Sequence, residues 1–182
     1  DEHGDLLESA VHYRDDRTIG MQEEVFKAIS KEEVYNLTGN QFENFNTIFQ
    51  LYSLVQKRPW ILERADTLLL TPDLFNYFLT GEKKAEYTMA STTQLMDAKN
   101  KVWSDRILDA LRIPKKLLPE IVPSGTVVGT LRSSICEELG VESAKVIAIA
   151  GHDTQSAVVS VPTQEEDFIF ISCGTWSLFG TE

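Results

Sequence analysis

The residues whose types and spacing best suit chemistry lie in the last part of the chain, at Gly151-His152-Asp153-Thr154. They follow Val146 to Ala150, a short uncharged run without alternation, which predicts a strand covered on both faces. Gly151 ends that strand, and Asp153 or Thr154 can cap the helix predicted after it. A carboxylate between a strand and a helix N-terminus lies where ligands usually bind in open α/β sheets, and it can accept a proton there. The same Asp also suits a plain helix cap.

The second candidate for chemistry is the turn Cys173-Gly174-Thr175, which separates two β-prone runs, Phe168 to Ser172 and Trp176 to Phe179. The pattern predicts a tight hairpin in which Gly174 adopts a positive φ. Backbone N–H groups and a hydroxyl at such a turn can bind phosphate oxygens, although many glycine-containing hairpins bind nothing. The carboxylate of Asp153 and the turn at Gly174 lie only about twenty residues apart. Their occurrence together makes a functional role more probable for each than it would be alone.

Helix signals upstream predict the elements that must position these residues. Ser30 with Glu33 forms a capping box, and Gly39 can end the helix that begins there. Apolar residues then recur at helical spacing as far as Pro59, with Asn46 as the polar exception. This stripe predicts a helix that faces the core and ends before the proline. Its members are Phe42, Phe45, Ile48, Phe49, Tyr52 and Val55.

Further elements are predicted between this stripe and the candidate site. Thr71-Pro72-Asp73 reads as an N-cap, a first helical residue and a first-turn acid, so we interpret Asp73 as a helix-start residue. Gly81 ends that helix, Ser104-Asp105 begins another, and a third runs from Ser133 to Leu139. The predicted strands are Leu95 to Asp97 and Thr126 to Thr130.

Length, composition and charge limit the classes of protein to consider. The 182 residues are 42% hydrophobic, which suffices for one good-sized domain, or one domain and part of another. A net charge of −11 argues against non-specific binding to nucleic acid or anionic membranes, and the apolar runs are too short to span a bilayer. The only cysteines, Cys136 and Cys173, lack metal-ligand spacing, as expected in a reducing cytoplasm. No pattern predicts an oligomeric state.

The two candidate motifs carry a family resemblance. Gly151-His152-Asp153-Thr154, followed by Ile171-Ser172-Cys173-Gly174-Thr175-Trp176-Ser177-Leu178, resembles the rhamnulokinase branch of the FGGY carbohydrate kinases. The resemblance implies an α/β fold, namely a partial ribonuclease H-like (actin-like ATPase) domain with inserted helices. Other segments agree in order and spacing: Tyr13 to Thr18, Phe45 to Thr47, Thr71 to Phe75, Leu79 to Gly81, and Glu86 to Thr88 running into Thr92 to Leu95.

The resemblance also implies roles for the candidate residues. Family members phosphorylate sugars with MgATP, and the implied substrate is L-rhamnulose, converted to L-rhamnulose 1-phosphate. Asp153 would be the catalytic base and would bind the sugar with His152 and Thr154, while Gly174 and Thr175 would meet the ATP phosphates. No residues are assigned as metal ligands. A structural histidine remains an alternative for His152, and a solvated loop, with Arg14 and Arg17 paired to neighbouring aspartates, for the segment around Tyr13.

The sequence departs from the family pattern where phosphate loops are expected. No N-terminal Asp-x-Gly-x-Ser/Thr loop occurs, and Cys173 replaces the usual Ser of its motif. We therefore expect an internal fragment of a two-domain kinase that is inactive alone, with residues 1–162 from the N-terminal domain and 163–182 forming the opening hairpin of the C-terminal domain.

Three other functions stay open from the sequence. The chain could belong to another FGGY kinase acting on xylulose, fuculose or glycerol, or to a non-catalytic sugar-binding or interaction module. A metal-dependent hydrolase that uses His152 and Asp153 is less favoured, because His3 and His12 show no ligand spacing.

Overall fold

The computed structural model describes residues 1–165 and 167–181 of the chain. The helices are α1 (Met21–Ala28), α2 (Lys31–Thr38), α3 (Thr47–Lys57), α4 (Pro59–Arg64), α5 (Thr71–Thr80), α6 (Tyr87–Ser91), α7 (Asp105–Leu111), α8 (Ser133–Leu139) and α9 (Asp153–Val159). Short 3-10 helices span Asp16–Thr18 and Lys115–Leu117. The strands are β1 (Ala85–Glu86), β2 (Met96–Asp97), β3 (Val102–Trp103), β4 (Ile121–Val122), β5 (Val127–Thr130), β6 (Lys145–Ile147), β7 (Ile169–Cys173) and β8 (Ser177–Thr181).

The main hydrophobic core lies among the helices of the first two thirds of the chain. Val25 of α1, Ile48 and Phe49 of α3, and Ile107 and Leu111 of α7 are fully buried in it. The predicted apolar stripe is confirmed in part, since α3 carries its central residues into this core. The helix begins only at Thr47, and a separate helix, α4, begins at Pro59. None of the helices in the described part of the chain is long and apolar enough to cross a membrane.

The local signals for helix ends are confirmed at α2. The Ser30 hydroxyl accepts a hydrogen bond of 3.1 Å from the Glu33 N–H. Gly39 ends the helix at φ 70°, a left-handed conformation that glycine adopts without strain. Gly81 and Gly140 end α5 and α8 in the same way. At α5 the predicted cap is wrong, because Thr71 already has helical geometry and Leu70 is the N-cap.

The strands form four two-stranded sheets, of which β1–β4 is parallel and β2–β3, β5–β6 and β7–β8 are antiparallel. The prediction of a strand from Val146 to Ala150 covered on both faces is wrong. The strand is β6, and the side chains of Ile147 and Ile149 are 49% and 73% exposed, whereas Ala148 is 1% exposed. In the described part of the chain β6 pairs only with β5. Helix α5 packs against this pair of strands, and the face that carries Ile147 stays exposed.

The predicted hairpin is confirmed, but its turn differs from the expectation. Cys173 pairs with Ser177, so three residues, Gly174 to Trp176, connect β7 and β8. The Gly174 N–H donates to the Trp176 carbonyl at 2.9 Å. Because a three-residue loop closed in this way does not need left-handed geometry at its first residue, Gly174 does not adopt a positive φ.

Candidate functional site

The first candidate motif forms the entry to α9. The chain leaves β6, passes through Gly151 and His152, and enters the helix at Asp153. His152 is the N-cap, with extended backbone geometry and no capping hydrogen bond from its side chain. The expectation that Asp153 or Thr154 caps this helix is therefore wrong, because both already lie inside it. The structure does place a carboxylate in the first turn after the strand, as the sequence predicts.

Asp153 presents its carboxylate to solvent. Its Oδ1 accepts a hydrogen bond of 2.7 Å from the Thr154 N–H and lies 3.5 Å from the Thr154 hydroxyl. Asp153 is exposed and Thr154 is half-buried. Both contacts are with the next residue, so they do not fix Asp153 relative to the rest of the protein. Its position depends on the contacts that hold the backbone of Gly151 and His152.

His152 connects the motif to the start of α6. Its backbone N–H donates to the Thr88 hydroxyl oxygen at 3.1 Å. Its ring Nδ1 is buried and has no hydrogen-bond partner among the residues that the structure describes. Because this nitrogen is enclosed by protein atoms, a contact between His152 and a sugar would use another atom of the ring.

Glu86 binds the backbone of Gly151, a role that the sequence did not reveal, although the segment from Glu86 to Thr88 resembles the family. Its carboxylate is 2% exposed and accepts a 3.1 Å hydrogen bond from the Gly151 N–H. It also accepts from the N–H groups of Thr88 and Met89, at 3.0 and 3.2 Å, which caps α6. Hydroxyl groups of Thr88 and Ser124 donate to it as well. Burial favours the neutral form of Glu86, but these hydrogen bonds outweigh it and lower its pKa.

A second buried carboxyl group lies behind Glu86. The Asp73 side chain is 2% exposed, and its Oδ1 accepts a 3.0 Å hydrogen bond from the Glu86 N–H. Burial, with a smaller contribution from the charge of Glu86, raises the pKa of Asp73 to about 6. Asp73 does lie in the first turn of α5, as predicted, but no sequence signal marks its contact with Glu86.

Gly151 approaches the neighbouring elements so closely that a side chain would not fit. A Cβ atom there would lie 2.8 Å from Met89 Cγ and 3.4 Å from Pro72 Cβ. Glycine at this position lets the backbone pack against α5 and α6 while its N–H reaches Glu86.

The second candidate motif lies at the exposed tip of the β7–β8 hairpin. Gly174 and Thr175 are both exposed, and a Cβ added at Gly174 would meet no atom within 4 Å. The Gly174 N–H is already donated to Trp176, so it is not free for a phosphate oxygen. Helix α9 contacts β7, which brings the two motifs onto neighbouring elements.

A cavity of about 550 Å³ is lined by residues of the N-terminal segment and of the helices α3 to α6. Tyr13, Arg17, Gln50 and Met89 are among its lining residues, whereas His152, Asp153, Thr154, Gly174 and Thr175 are not. Residues 11 to 16 are exposed, as the solvated-loop alternative predicts. The Arg17 side chain donates to Gln50 at 2.8 Å and forms no ion pair with an aspartate among the described residues, so that part of the alternative is wrong. Met89 contributes both to this cavity and to the close approach at Gly151.

Comparison with known sequences assigns most of the chain to one family profile. Residues 1–160 match the N-terminal domain of the FGGY family of carbohydrate kinases. Over all 182 residues the chain is 49% identical to a protein named rhamnulokinase from Oceanobacillus iheyensis. The match covers 38% of that relative, so the chain spans well under half of its length.

Solved structures confirm the fold class predicted from the sequence. Gluconate kinase from Lactobacillus acidophilus superposes with a TM-score of 0.72 at 24% identity, over 81% of this chain and 30% of that one. Plasmodium falciparum glycerol kinase with ADP gives a TM-score of 0.72 at 23% identity, over 86% of this chain and 31% of that one. The chain therefore has part of the α/β, ribonuclease H-like (actin-like ATPase) fold of these enzymes, as predicted.

Proposed function

Because the chain belongs to the FGGY family of carbohydrate kinases, we propose that the full-length protein phosphorylates L-rhamnulose with MgATP, giving L-rhamnulose 1-phosphate. The observation that carries the proposal is the exposed carboxylate of Asp153 at the start of α9. The backbone N–H groups of the two residues before it donate to Glu86 and Thr88. The similarity to proteins named rhamnulokinase supports the choice of sugar.

Each residue of the motif has a role in the proposed reaction. The Asp153 carboxylate accepts the proton of the sugar hydroxyl that attacks the γ-phosphoryl group of ATP. A weakly basic carboxylate suffices when the proton moves late, after phosphoryl transfer has begun. His152 and the hydroxyl of Thr154 hydrogen-bond the sugar and hold its reacting hydroxyl near Asp153.

The turn between β7 and β8 suits phosphate oxygens better than a metal ion. The Thr175 hydroxyl is a donor, and the open space at Gly174 allows a phosphate to approach the backbone closely. In the described part of the chain no three histidine, cysteine or acidic side chains group together as ligands for an ion. When bound with the nucleotide, magnesium would neutralise charge that develops on the phosphates during transfer.

We assign residues 1–162 to the N-terminal domain and 163–182 to the opening hairpin of the C-terminal domain, with the sugar and ATP bound where the domains meet. The family profile ends at residue 160, close to the end of α9 at Val159, and this supports the boundary. Catalysis between two domains needs both of them, so this chain alone would not turn over substrate. We place the protein in the cytoplasm, since its two free cysteines suit a reducing compartment.

A substrate panel tests the choice of sugar. ADP release is measured for the full-length protein with MgATP and, in turn, L-rhamnulose, xylulose, fuculose and glycerol. We expect the highest kcat/KM with L-rhamnulose. A higher value with another of these substrates would replace the sugar but keep the kinase. Absence of turnover with every sugar, under conditions where one of them binds, would support the non-catalytic binding module instead.

A further inference from the structure

The Glu86 carboxylate joins three separate parts of the chain. It accepts hydrogen bonds from the first turn of α6, from the Ser124 hydroxyl, and from the Gly151 N–H, which lies 65 positions further along the sequence. An ionised carboxylate offers about four acceptor sites, and these donors fill them. Since burying a charge is costly unless it is well hydrogen-bonded, the arrangement fixes Glu86 tightly in one orientation.

Thr88 extends this connection by one residue. Its hydroxyl donates to Glu86 Oε2 and accepts from the His152 N–H at 3.1 Å. The hydroxyl is thereby oriented at both ends. Two successive backbone N–H groups, those of Gly151 and His152, are thus held by one buried pair of side chains immediately before Asp153.

Packing around Gly151 leaves the turn little freedom to move. Met89 and Pro72 lie close enough to exclude a Cβ, so the backbone is held against α5 and α6 on one side and by Glu86 through its N–H. Asp73 in turn anchors Glu86 by accepting its backbone N–H. Hydrogen bonds therefore connect Asp73 of α5, through Glu86 of β1, to the turn that precedes Asp153.

We propose that Glu86, acting with Thr88, is a positioning residue that sets where the Asp153 carboxylate lies during phosphoryl transfer. The inference rests on the proposed function, since it presupposes that Asp153 is the base. Glu86 does not touch substrate. It acts on the rate because a displacement of a reacting group by about 1 Å can cost about 100-fold.

The test compares variants of the full-length protein in the ADP-release assay, with the folded fraction of each sample determined separately. Glu86→Gln replaces one acceptor oxygen by a donor that faces other donors, so we expect kcat to fall about 10- to 100-fold while KM for the sugar changes less than about threefold. Thr88→Val should also lower kcat. Thr88→Ser keeps the hydroxyl, so its kcat should equal that of the wild type.

Thr93→Val is the matched control. Thr93 is buried like Thr88, and its hydroxyl likewise donates one hydrogen bond, to the Ala90 carbonyl, and accepts another from a backbone N–H. Among the described residues it has no hydrogen bond to Glu86, Gly151 or His152. We expect Thr93→Val to lower the unfolding temperature as much as Thr88→Val does, with kcat per folded molecule unchanged within about twofold.

Three outcomes separate this inference from the proposed function. A loss of kcat in Glu86→Gln and Thr88→Val that exceeds the loss in Thr93→Val supports the positioning role. Equal kcat values per folded molecule in Thr88→Val and Thr93→Val would overturn it, even if Glu86→Gln does not fold. Asp153→Asn is assayed in parallel: full activity in that variant would remove the proposed base, and the inference with it.

Discussion

The backbone N–H of Glu86 donates a hydrogen bond of 3.0 Å to Oδ1 of Asp73, so two carboxyl side chains that are each 2% exposed lie next to each other. They differ in how they are stabilised. The Glu86 carboxylate accepts several hydrogen bonds, whereas Oδ2 of Asp73 is buried and has no partner among the described residues. Of the two carboxyl groups, Asp73 is therefore the one that binds a proton more readily, and its pKa is raised to about 6.

The raised pKa of Asp73 predicts a pH-dependent stability. Its folded-state pKa of about 6 exceeds its ordinary value of 3.8, so the folded state binds the proton more tightly than the unfolded state. The resulting stability is fully present below about pH 4 and is lost as pH rises through about 6. Asp73→Asn keeps an acceptor for the Glu86 N–H and carries no charge. We expect this variant to exceed the wild type at pH 8 by up to about 3 kcal/mol, with the difference vanishing towards pH 4.

Urea unfolding at several pH values measures this difference, and Asp97→Asn provides a control of opposite sign. Hydrogen bonds from the Asn100 backbone and side chain lower the pKa of Asp97, so its carboxylate stabilises the fold above its ordinary pKa. Asp97→Asn should thus be less stable than the wild type at pH 8. An Asp73→Asn variant that is no more stable than the wild type at pH 8 would show that Asp73 ionises there without cost.

Gly151→Ala is expected to destabilise the protein by about 1–3 kcal/mol, because the added Cβ would lie 2.8 Å from Met89 Cγ. Thermal unfolding measures the loss. Gly174→Ala is the matched control for stability, since a Cβ there meets nothing within 4 Å, and its unfolding temperature should stay at the wild-type value. Met89→Ala in the Gly151→Ala background should recover part of the loss. If Gly151→Ala unfolds at the wild-type temperature, the turn is free to move away from α6.

Ser30→Ala is expected to lower the free energy of unfolding by about 1 kcal/mol, because the Glu33 N–H loses its capping acceptor. Ser30→Asp, which supplies another good cap, should recover that stability. Turnover per folded molecule should not change in either variant, since among the described residues no hydrogen bond joins α2 to the candidate motif. Equal unfolding free energies for the wild type and Ser30→Ala would mean that this cap does not stabilise the helix.

Local signals predicted the helix ends whose stabilising groups are neighbours in sequence. Ser30 with Glu33, Ser104 with Ile107, and the left-handed Gly39 all act within one or two helical turns. The sequence did not predict α6, whose five residues are rich in hydroxyl and small side chains. Its N-terminus is capped by the Glu86 side chain, which is held in turn by Ser124 and Gly151, and such long-range contacts leave no local pattern.

The candidate site follows the same division. The position of Asp153 after a strand could be predicted from Gly151 and the run before it, and the hairpin could be predicted from its two β-prone runs. The residues that hold Asp153 in place could not, because Glu86 and Thr88 are distant from it in sequence. The segment from Glu86 to Thr88 resembles the family, but nothing in it marks a contact with Gly151 and His152. The N-cap of α9 was also not predictable from residue preference, since His152 holds that position through its backbone bond to Thr88.

The most direct test of the central claim is the rate at which the full-length protein forms phosphorylated sugar with and without the Asp153 carboxylate. Formation of L-rhamnulose 1-phosphate from MgATP is followed by mass spectrometry for the wild type, Asp153→Asn and Asp167→Asn, the last removing an exposed carboxylate outside the motif. We predict that Asp153→Asn loses at least about 100-fold in kcat while still binding sugar, and that Asp167→Asn matches the wild type. Wild-type turnover by Asp153→Asn would contradict the assignment of Asp153 as the base.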